Sequence, residues 1–349
     1  MRFLLLSLFI VNHSLAQITV TTADMPNTND IKVISIVNPQ DVTSPELTGT
    51  NYTWDFSTLN PLQQRIDTFM NVTSTPLGYQ FYFNNFILYP DHMADYGVPV
   101  ATPNFIPQLN VQDVINYYRN TSGEYVQVGF GANVNGVPMS VRYIPTDTLY
   151  LFPLNYGNTN QNSYFFDLDI PGLLYYGQTG TRVDTVDGWG TVITPFGSFN
   201  ALRVKSTIYK TDTTYINTLG FGTSIDRPVE VEYKWLANGQ GVPVFQVNTT
   251  GGQVTSIEYL DVFLGIGIAE NEKEDILIYP NPTEGIITIE AADNYNSIEV
   301  YDQSGRLVYQ LSSINESRRD FDLSNVEPGL YHLILRNDKG SAVRKIVVK

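Results

Sequence analysis

The residues of this sequence that could do chemistry are carboxylates set close together. Asp167 and Asp169, in FFDLDIPG, are two positions apart in a segment of strand composition, so we expect both to point to one side of a strand. Asp184 and Asp187, in RVDTVDGWG, adjoin a predicted turn at Asp187-Gly188. Paired carboxylates serve glycoside hydrolysis, and they also bind calcium, which takes oxygen ligands. Because 35 acidic residues are present and most must be solvated, we assign no catalytic residue and keep Asp167 and Asp169 only as candidates.

Other reactive groups are scarce. The absence of cysteine excludes disulfides, thiolate catalysis and thiolate metal sites. His92, in PDHMADYG, is expected to be a loop residue flanked by carboxylates, and His332 is expected to face outward from a strand. No histidine cluster, Gly-x-Ser-x-Gly elbow or glycine-rich phosphate loop occurs. We therefore assign no metal and no cofactor, and calcium is the one ion that the carboxylates would suit.

Tryptophans are the better candidates for binding. Trp54, Trp189 and Trp235 each lie in an aromatic or glycine-rich segment. A tryptophan that is exposed on a concave sheet beside tyrosines would stack on sugars, and we expect at least two of the three to be buried instead.

The overall composition indicates an acidic β-protein. The 349 residues carry a formal net charge of −15 without a basic cluster, which argues against binding to nucleic acids and to anionic membranes. Tyrosine and phenylalanine are abundant, at 23 and 18 residues, and typical of strands. Strands with period-two alternation are predicted at 31–37, 79–89, 124–130, 139–144, 201–209 and 229–235. One short helix is predicted at about 110–119, because Val111, Val114, Ile115 and Tyr118 fall on one helical face.

The N-terminal residues MRFLLLSLFIVNHSLAQ have the pattern of a secretory signal peptide. Arg2 supplies the positive charge, and the apolar run after it is too short to span a bilayer. Ser14-Leu15-Ala16 forms a cleavage site of small residues, so we predict cleavage between Ala16 and Gln17. No later segment has the length and apolarity of a transmembrane helix.

Towards the C-terminus the strands follow one another at the spacing of a small sandwich. They are predicted at 276–279, 286–290, 297–302, 306–311, 320–324, 329–336 and 342–349. We therefore divide the chain into a signal peptide (1–16), an antiparallel β-rich domain of unknown function (17–265), an acidic linker (266–274) and a seven-stranded Ig-like β-sandwich (275–349).

This last unit closely resembles the type A C-terminal sorting domain of type IX secretion cargo. The matching landmarks are Pro280, Asn281, Pro282, Gly285, Gly305, Arg306, Gly329, Tyr331, Lys345 and Lys349. The resemblance implies export from a Bacteroidota-type bacterium, first on the signal peptide and then across the outer membrane by the type IX machinery. It also implies removal of the domain, followed by release of the cargo or its attachment to surface lipopolysaccharide.

Two weaker resemblances concern the larger domain. Asp147-Thr148-Leu149 and Asp184-Thr185-Val186 resemble the sites at which this bacterial group attaches O-glycans, so Thr148 and Thr185 are candidates for modification. The segments around Trp189 and Trp235 resemble stretches of secreted proteins whose function is unknown.

Three functions remain open from the sequence. The preferred one is an extracellular or surface protein whose β-rich domain binds a glycan or protein ligand without catalysis. The second is a carbohydrate-active hydrolase that uses paired carboxylates, which would require a concave cleft between them. The third is a structural component of a matrix or an adhesin.

Overall fold

The described part of the chain is built mainly from β-strands. The computed structural model describes residues 17–101, 110–170, 172–217, 219–262, 276–302, 306–337 and 340–349. The predicted signal peptide, including Ala16, and the predicted linker lie outside these residues. The first fourteen strands are β1 (Ile31–Val37), β2 (Thr50–Asp55), β3 (Pro61–Thr68), β4 (Tyr96–Pro99), β5 (Val111–Asn120), β6 (Glu124–Val134), β7 (Val137–Leu151), β8 (Thr159–Ile170), β9 (Leu174–Thr194), β10 (Gly197–Ile216), β11 (Phe221–Asp226), β12 (Glu230–Leu236), β13 (Phe245–Thr250) and β14 (Gln253–Asp261).

A ten-stranded sheet, called the large sheet, forms the main layer of the N-terminal unit. Its order is β2-β9-β10-β12-β13-β14-β1-β3, with β8 paired to β9 and β11 paired to β10. The strands β9 and β10 form a long hairpin. On the side away from the hairpin, β9 pairs with β2 and β8 in successive stretches, and β10 pairs in the same way with β12 and β11. One face of the large sheet buries an aromatic core around Trp54, Trp235 and Phe245.

The small sheet, β4-β5-β6-β7, packs on the other face of the large sheet. Its own outer face is covered by the segment that contains the short helix α1 (Gln80–Phe83) and buries Tyr79, Phe83 and Tyr117. Each of the two sheets is therefore covered on both faces over much of its area.

The predicted helix at 110–119 is wrong, because this segment forms strand β5. A β-bulge lies between Gln112 and Ile115, with Asp113 at a φ of +52°. The bulge places Val114 and Ile115 on opposite faces, where they join two different cores. The extra residues of the bulge interrupt the period-two alternation, so the apolar residues of β5 have the spacing of a helix in the sequence.

Two further local predictions are wrong. The predicted strand at 79–89 contains α1 and turns, so the short helix of the protein lies here. Asp187-Gly188 is not a turn but a bulge inside β9, where Arg203 faces Gly188 and Val204 faces Val186. Tight turns lie instead at Asn135-Gly136, Asn238-Gly239 and Gly251-Gly252.

The C-terminal unit confirms the predicted sandwich. Its strands are β15 (Leu277–Tyr279), β16 (Ile286–Asp302), β17 (Leu307–Asp322), β18 (Gly329–Asn337) and β19 (Gly340–Val348). β16 and β17 each join two predicted strands, and their two halves pair with each other in separate stretches. The seven strand segments enclose one core that includes Ile287, Val300 and Leu333. His332 is 5% exposed, so the prediction that it faces outward is wrong.

Candidate ligand-binding cleft

Charged side chains occupy the space between the large and small sheets. Arg182 and Asp184 are alternate residues of β9, and Glu232 and Lys234 are alternate residues of β12. Successive side chains of a strand point to opposite faces, so each of these two pairs shares one face of the large sheet. Asp147 meets them from β7 of the small sheet. We call Asp147, Arg182, Glu232 and Lys234 the charged cluster.

The charged cluster is fully paired. Arg182 donates to both Asp147 carboxylate oxygens, from Nε and Nη2, at 2.9 Å each. Its Nη1 donates to Glu232 at 3.0 Å, and the Lys234 ammonium donates to the same Glu232 oxygen at 2.8 Å. Two cations and two carboxylates thus neutralise each other.

The ionisation of the charged cluster follows from this pairing. Burial would raise the pKa of Glu232, but the charges of Lys234 and Arg182 outweigh it and hold that pKa well below its usual range. Burial would likewise lower the pKa of Lys234, but Glu232 raises it above its usual range. Arg182, Glu232 and Lys234 are therefore charged at neutral pH.

Asp184 lies beside the charged cluster but outside its pairing. Its side chain is buried, and neither carboxylate oxygen has a hydrogen bond to any part of the chain that the structure describes. Burial raises the pKa of Asp184 to about 6. The nearby Ser206 hydroxyl, which does not meet hydrogen-bond geometry, and the charge of Arg182 offset this effect only in part.

A ladder of tyrosines faces the charged cluster from the small sheet. Tyr118, Tyr125 and Tyr150 come from β5, β6 and β7, with ring centroids 5.5 Å apart for the first pair and 5.9 Å for the second. Burial raises the pKa of each phenol, so all three are neutral donors and acceptors at physiological pH.

The tyrosine ladder and Lys234 line a cavity of about 400 Å³, which we call the amphipathic cavity. Its apolar wall includes Met25, Phe69, Val98 and Leu236. At its rim, Arg65 makes a bidentate ion pair with Glu258, at 3.1 and 2.9 Å. A concave, mostly apolar space with a few convergent polar groups is the usual form of a small-molecule site.

The predicted tryptophans lie elsewhere. Trp54 and Trp235 are 4% and 0% exposed, with centroids 5.7 Å apart in the core on the opposite face of the large sheet, so neither is available to stack on a sugar. Trp189 is half-buried against the core between the sheets. Among the residues that line the amphipathic cavity, none is a tryptophan.

The other sequence candidates are dispersed. Asp167 and Asp169 are exposed and share one face of β8, as predicted for a strand. Thr148 and Thr185 are half-buried in β7 and β9, and their modification stays a prediction. Within the described ranges, no three His, Asp or Glu side chains are grouped closely enough to hold a metal ion.

Sequence reasoning missed Arg182, Glu232 and Lys234. In VEVEYKW the period-two alternation separates the apolar residues at 231, 233 and 235 from the charged residues between them, and a half-buried strand would place the charged residues in solvent. Both faces of β12 are in fact covered. The available signal was the repetition of opposite charges at alternate positions in two strands, Arg182 and Asp184 in β9 and Glu232 and Lys234 in β12.

Hydrogen bonds join the turn after β15, which contains several of the landmarks, to the last strand, β19. The Asn281 side chain accepts a hydrogen bond from the Val347 amide at 2.9 Å. Thr283 continues this contact through its backbone, donating to Val347 at 2.8 Å and accepting from Lys349 at 2.9 Å. Pro280 and Pro282 flank this contact and are exposed.

The remaining landmarks shape other turns. Gly285 has a φ of +140°, and a Cβ there would lie 3.1 Å from Ser324 Cα. Arg306 pairs with Asp302 at 2.9 Å, and the Tyr331 hydroxyl donates to the Glu327 carbonyl. Gly329 begins β18, and Lys345 lies in β19. Gly305 lies outside the described residues.

Comparison with known proteins identifies the C-terminal unit. Residues 277–349 match the family model described as a secretion system C-terminal sorting domain. No curated protein matches the chain. Among solved structures, the chain is similar at 8% identity and a TM-score of 0.20 to PorZ, a surface component of the type IX secretion system of Porphyromonas gingivalis, over 73% of this chain and 57% of that one. It is similar at 11% identity and a TM-score of 0.17 to the four N-terminal Ig domains of Dscam1 isoform 6.9, over 92% of this chain and all of that one.

The family match confirms the sorting domain predicted from the sequence. The chain carries the C-terminal signal of type IX secretion cargo, and it is exported to the cell surface or beyond. No helix in the described part of the chain has the length and apolarity to cross a membrane.

Proposed function

We propose that the exported part of this protein, from Gln17 to about residue 265, is a non-catalytic binding module. It takes a small amphipathic ligand into the amphipathic cavity, with the polar end of the ligand at Lys234 and the tyrosine ladder. The observation that carries this proposal is the composition of the cavity, in which phenol and ammonium groups adjoin a mainly apolar wall and the ion-paired Arg65, Asp67 and Glu258 complete the lining.

The cavity can supply directed hydrogen bonds without rearrangement. An ammonium has three donors, and Lys234 uses one of them on Glu232. The Tyr125 hydroxyl accepts from Tyr96 at 3.0 Å, which fixes the middle of the tyrosine ladder. A ligand carboxylate or hydroxyl would therefore meet donors that are already held in place, which lowers the entropic cost of binding.

Binding is better supported than hydrolysis. A glycosidase needs one carboxylic acid with a raised pKa beside a second carboxylate. Glu232 is held ionised by Lys234 and Arg182, and Asp147 is occupied by both donors of the Arg182 fork. The sequence candidates Asp167 and Asp169 do not line the amphipathic cavity.

The destination of the module is the second part of the proposal. We infer that the signal peptide is cleaved after Ala16, that the sorting domain beyond about residue 270 is removed on export, and that the module is then released or fixed to surface lipopolysaccharide. A glycan or a protein that presents an apolar group with a polar end would also suit the cavity.

Calorimetric titration with octanoate tests the binding function. We expect saturable binding at one site, because octanoate combines an apolar chain with a carboxylate for Lys234. Replacing Lys234 with Met should weaken the affinity at least tenfold. Cellobiose serves as the glycan probe in the same experiment.

Lys205→Met is the matched control. Lys205 lies on the opposite face, near the ring of Tyr233, and does not line the cavity. Equal losses in the two lysine variants, or the absence of saturable binding by both octanoate and cellobiose, would contradict the proposal.

A further inference from the structure

A second cavity opens on the other side of Tyr150, with a volume of about 230 Å³. Leu149 and Tyr150 separate it from the amphipathic cavity, because both residues line both spaces. Its walls are mainly apolar and include Leu151, Phe152 and Val186, with Asn158 and Asn160 at one side. Asp184 is the only carboxylate among its lining residues, and the Tyr150 phenol is the other ionisable group there.

Asp184 is an unusual residue in the wall of this cavity, because it is a buried carboxylate. Its exposed fraction is 6%, and neither carboxylate oxygen has a hydrogen-bond partner within the part of the chain that the structure describes. An ionised carboxylate that is buried without partners costs several kcal/mol, so proteins rarely keep one without a use for it.

The surrounding charges leave Asp184 without a counter-ion. The charged groups that act on it are Arg182 on its own strand, Lys234 on β12 and Asp147 on β7, and the phenol of Tyr150 lies nearby. Arg182 is committed to Asp147 and Glu232, and Lys234 is committed to Glu232. The charged cluster is neutral as a whole, so ionisation of Asp184 leaves one net negative charge beside an apolar cavity.

We propose that this second cavity binds a primary amine with a small apolar body, whose ammonium group is received by the Asp184 carboxylate. The ammonium provides both the missing positive charge and the missing hydrogen-bond donors. The apolar body fills the space formed by Leu151, Phe152 and Val186. The volume of the cavity limits this body to about the size of one ring or a short branched chain.

Binding of an amine at this position should depend on pH. Asp184 has a pKa of about 6, so it is mainly ionised at pH 7.5 and mainly protonated at pH 5. An alkyl amine stays protonated at both values. We therefore expect the affinity to fall about tenfold from pH 7.5 to pH 5, since only the ionised form of Asp184 attracts the amine.

Calorimetric titration of the mature protein with benzylamine tests this site, with benzyl alcohol as the neutral probe of the same shape. We expect saturable binding of benzylamine and at least tenfold weaker binding of benzyl alcohol. Asp184→Asn should lose at least tenfold in affinity for benzylamine. Asp167→Asn, which removes the same charge from an exposed position, should bind as the unaltered protein does.

A second measurement does not depend on any variant. The carboxyl carbon of Asp184 can be followed by NMR during a pH titration, and bound benzylamine should lower its midpoint. The proposal is overturned if benzylamine does not bind, if benzyl alcohol binds equally well, if Asp184→Asn retains the affinity, or if the midpoint does not move when the amine binds.

Discussion

Arg182 and Asp147 join the two sheets of the N-terminal unit through two parallel hydrogen bonds of 2.9 Å. Their side chains are 7% and 5% exposed, so the pair is removed from bulk water. Arg182 belongs to β9 of the large sheet and Asp147 to β7 of the small sheet. The pair therefore sets how the two layers meet beside both cavities.

Removing Arg182 should strongly destabilise the N-terminal unit. We expect Arg182→Met to lower the free energy of unfolding by about 3–5 kcal/mol, because the Asp147 carboxylate is left buried without its ion-pair partner. All three tryptophans lie in this unit, so urea unfolding followed by tryptophan fluorescence reports on it.

Two controls sharpen this measurement. Lys210→Met removes a more accessible ion pair between β10 and β12 and should cost less than about 1 kcal/mol. The double variant Arg182→Met/Asp147→Leu should recover part of the loss, because it leaves no unpaired carboxylate at position 147. A loss below about 1 kcal/mol in Arg182→Met would show that the ion pair between Arg182 and Asp147 does not stabilise the contact between the two sheets.

Asp184 should make the stability of the N-terminal unit fall as pH rises. Its pKa in the folded protein, about 6, is above the ordinary value of 3.8, so the folded state binds this proton more tightly than the unfolded state does. The stabilising effect of the proton is complete below about pH 4 and is lost as pH rises through about 6. Asn cannot ionise, so Asp184→Asn removes this dependence.

Urea unfolding at pH 4 and pH 7.5 measures this effect. The gain in the free energy of unfolding on Asp184→Asn should be larger at pH 7.5 than at pH 4 by about 2–3 kcal/mol. Comparing the variant with the unaltered protein at each pH cancels the titration of other groups. A gain that is the same at both pH values would mean that Asp184 does not titrate as the structure indicates.

The turn at Gly285 should tolerate no side chain. Its φ of +140° and the 3.1 Å approach of Ser324 Cα to an added Cβ predict that Gly285→Ala costs about 1–3 kcal/mol. Gly329→Ala is the matched control, because an added Cβ there meets Tyr331 at an ordinary 3.6 Å.

Hydrogen exchange can separate these two glycine variants. The C-terminal unit has no tryptophan, so exchange of the amides of Thr283 and Val347 is the suitable readout. Exchange should be faster in Gly285→Ala and almost unchanged in Gly329→Ala. Equal exchange in both variants would show that the strain at Gly285 is relieved locally.

The C-terminal unit should direct the protein out of the cell that makes it. We expect the surface or medium fraction to contain a species that starts at Gln17 and lacks the residues from about 270 onward. A variant without residues 276–349 should remain in the periplasm. Intact-mass analysis of the three fractions measures both outcomes, and a full-length species held in the periplasm would contradict the prediction of cleavage.

The amphipathic cavity could not be predicted from the sequence, although several of the strands that form it could. The alternation in VEVEYKW places β12 correctly, but alternation only separates two faces and does not say what covers each of them. Charged residues are mostly exposed, so a half-buried β12 would place Glu232 and Lys234 in solvent. Burial of both faces by separate layers is a property of the assembled sheets.

The pairing of Asp147 with Arg182 shows the same limit. These residues are 35 positions apart on strands of different sheets. The sequence indicated Asp147 only as the neighbour of a threonine in a pattern that resembles a glycosylation site, and it indicated Asp184 in the same way and as one of a pair of carboxylates with Asp187. In β5, a single bulge was enough to turn a strand pattern into an apparent helix.

The sequence by itself determined the β-rich class, most strand positions and the C-terminal sorting domain. These depend on local alternation, on turn residues and on landmarks that lie within one short segment. Only the tertiary structure decided which charged residues are buried together and where the two cavities open. The reason is physical, because a charge is costly or useful according to its neighbours across the fold, and those neighbours come from strands far apart in the chain.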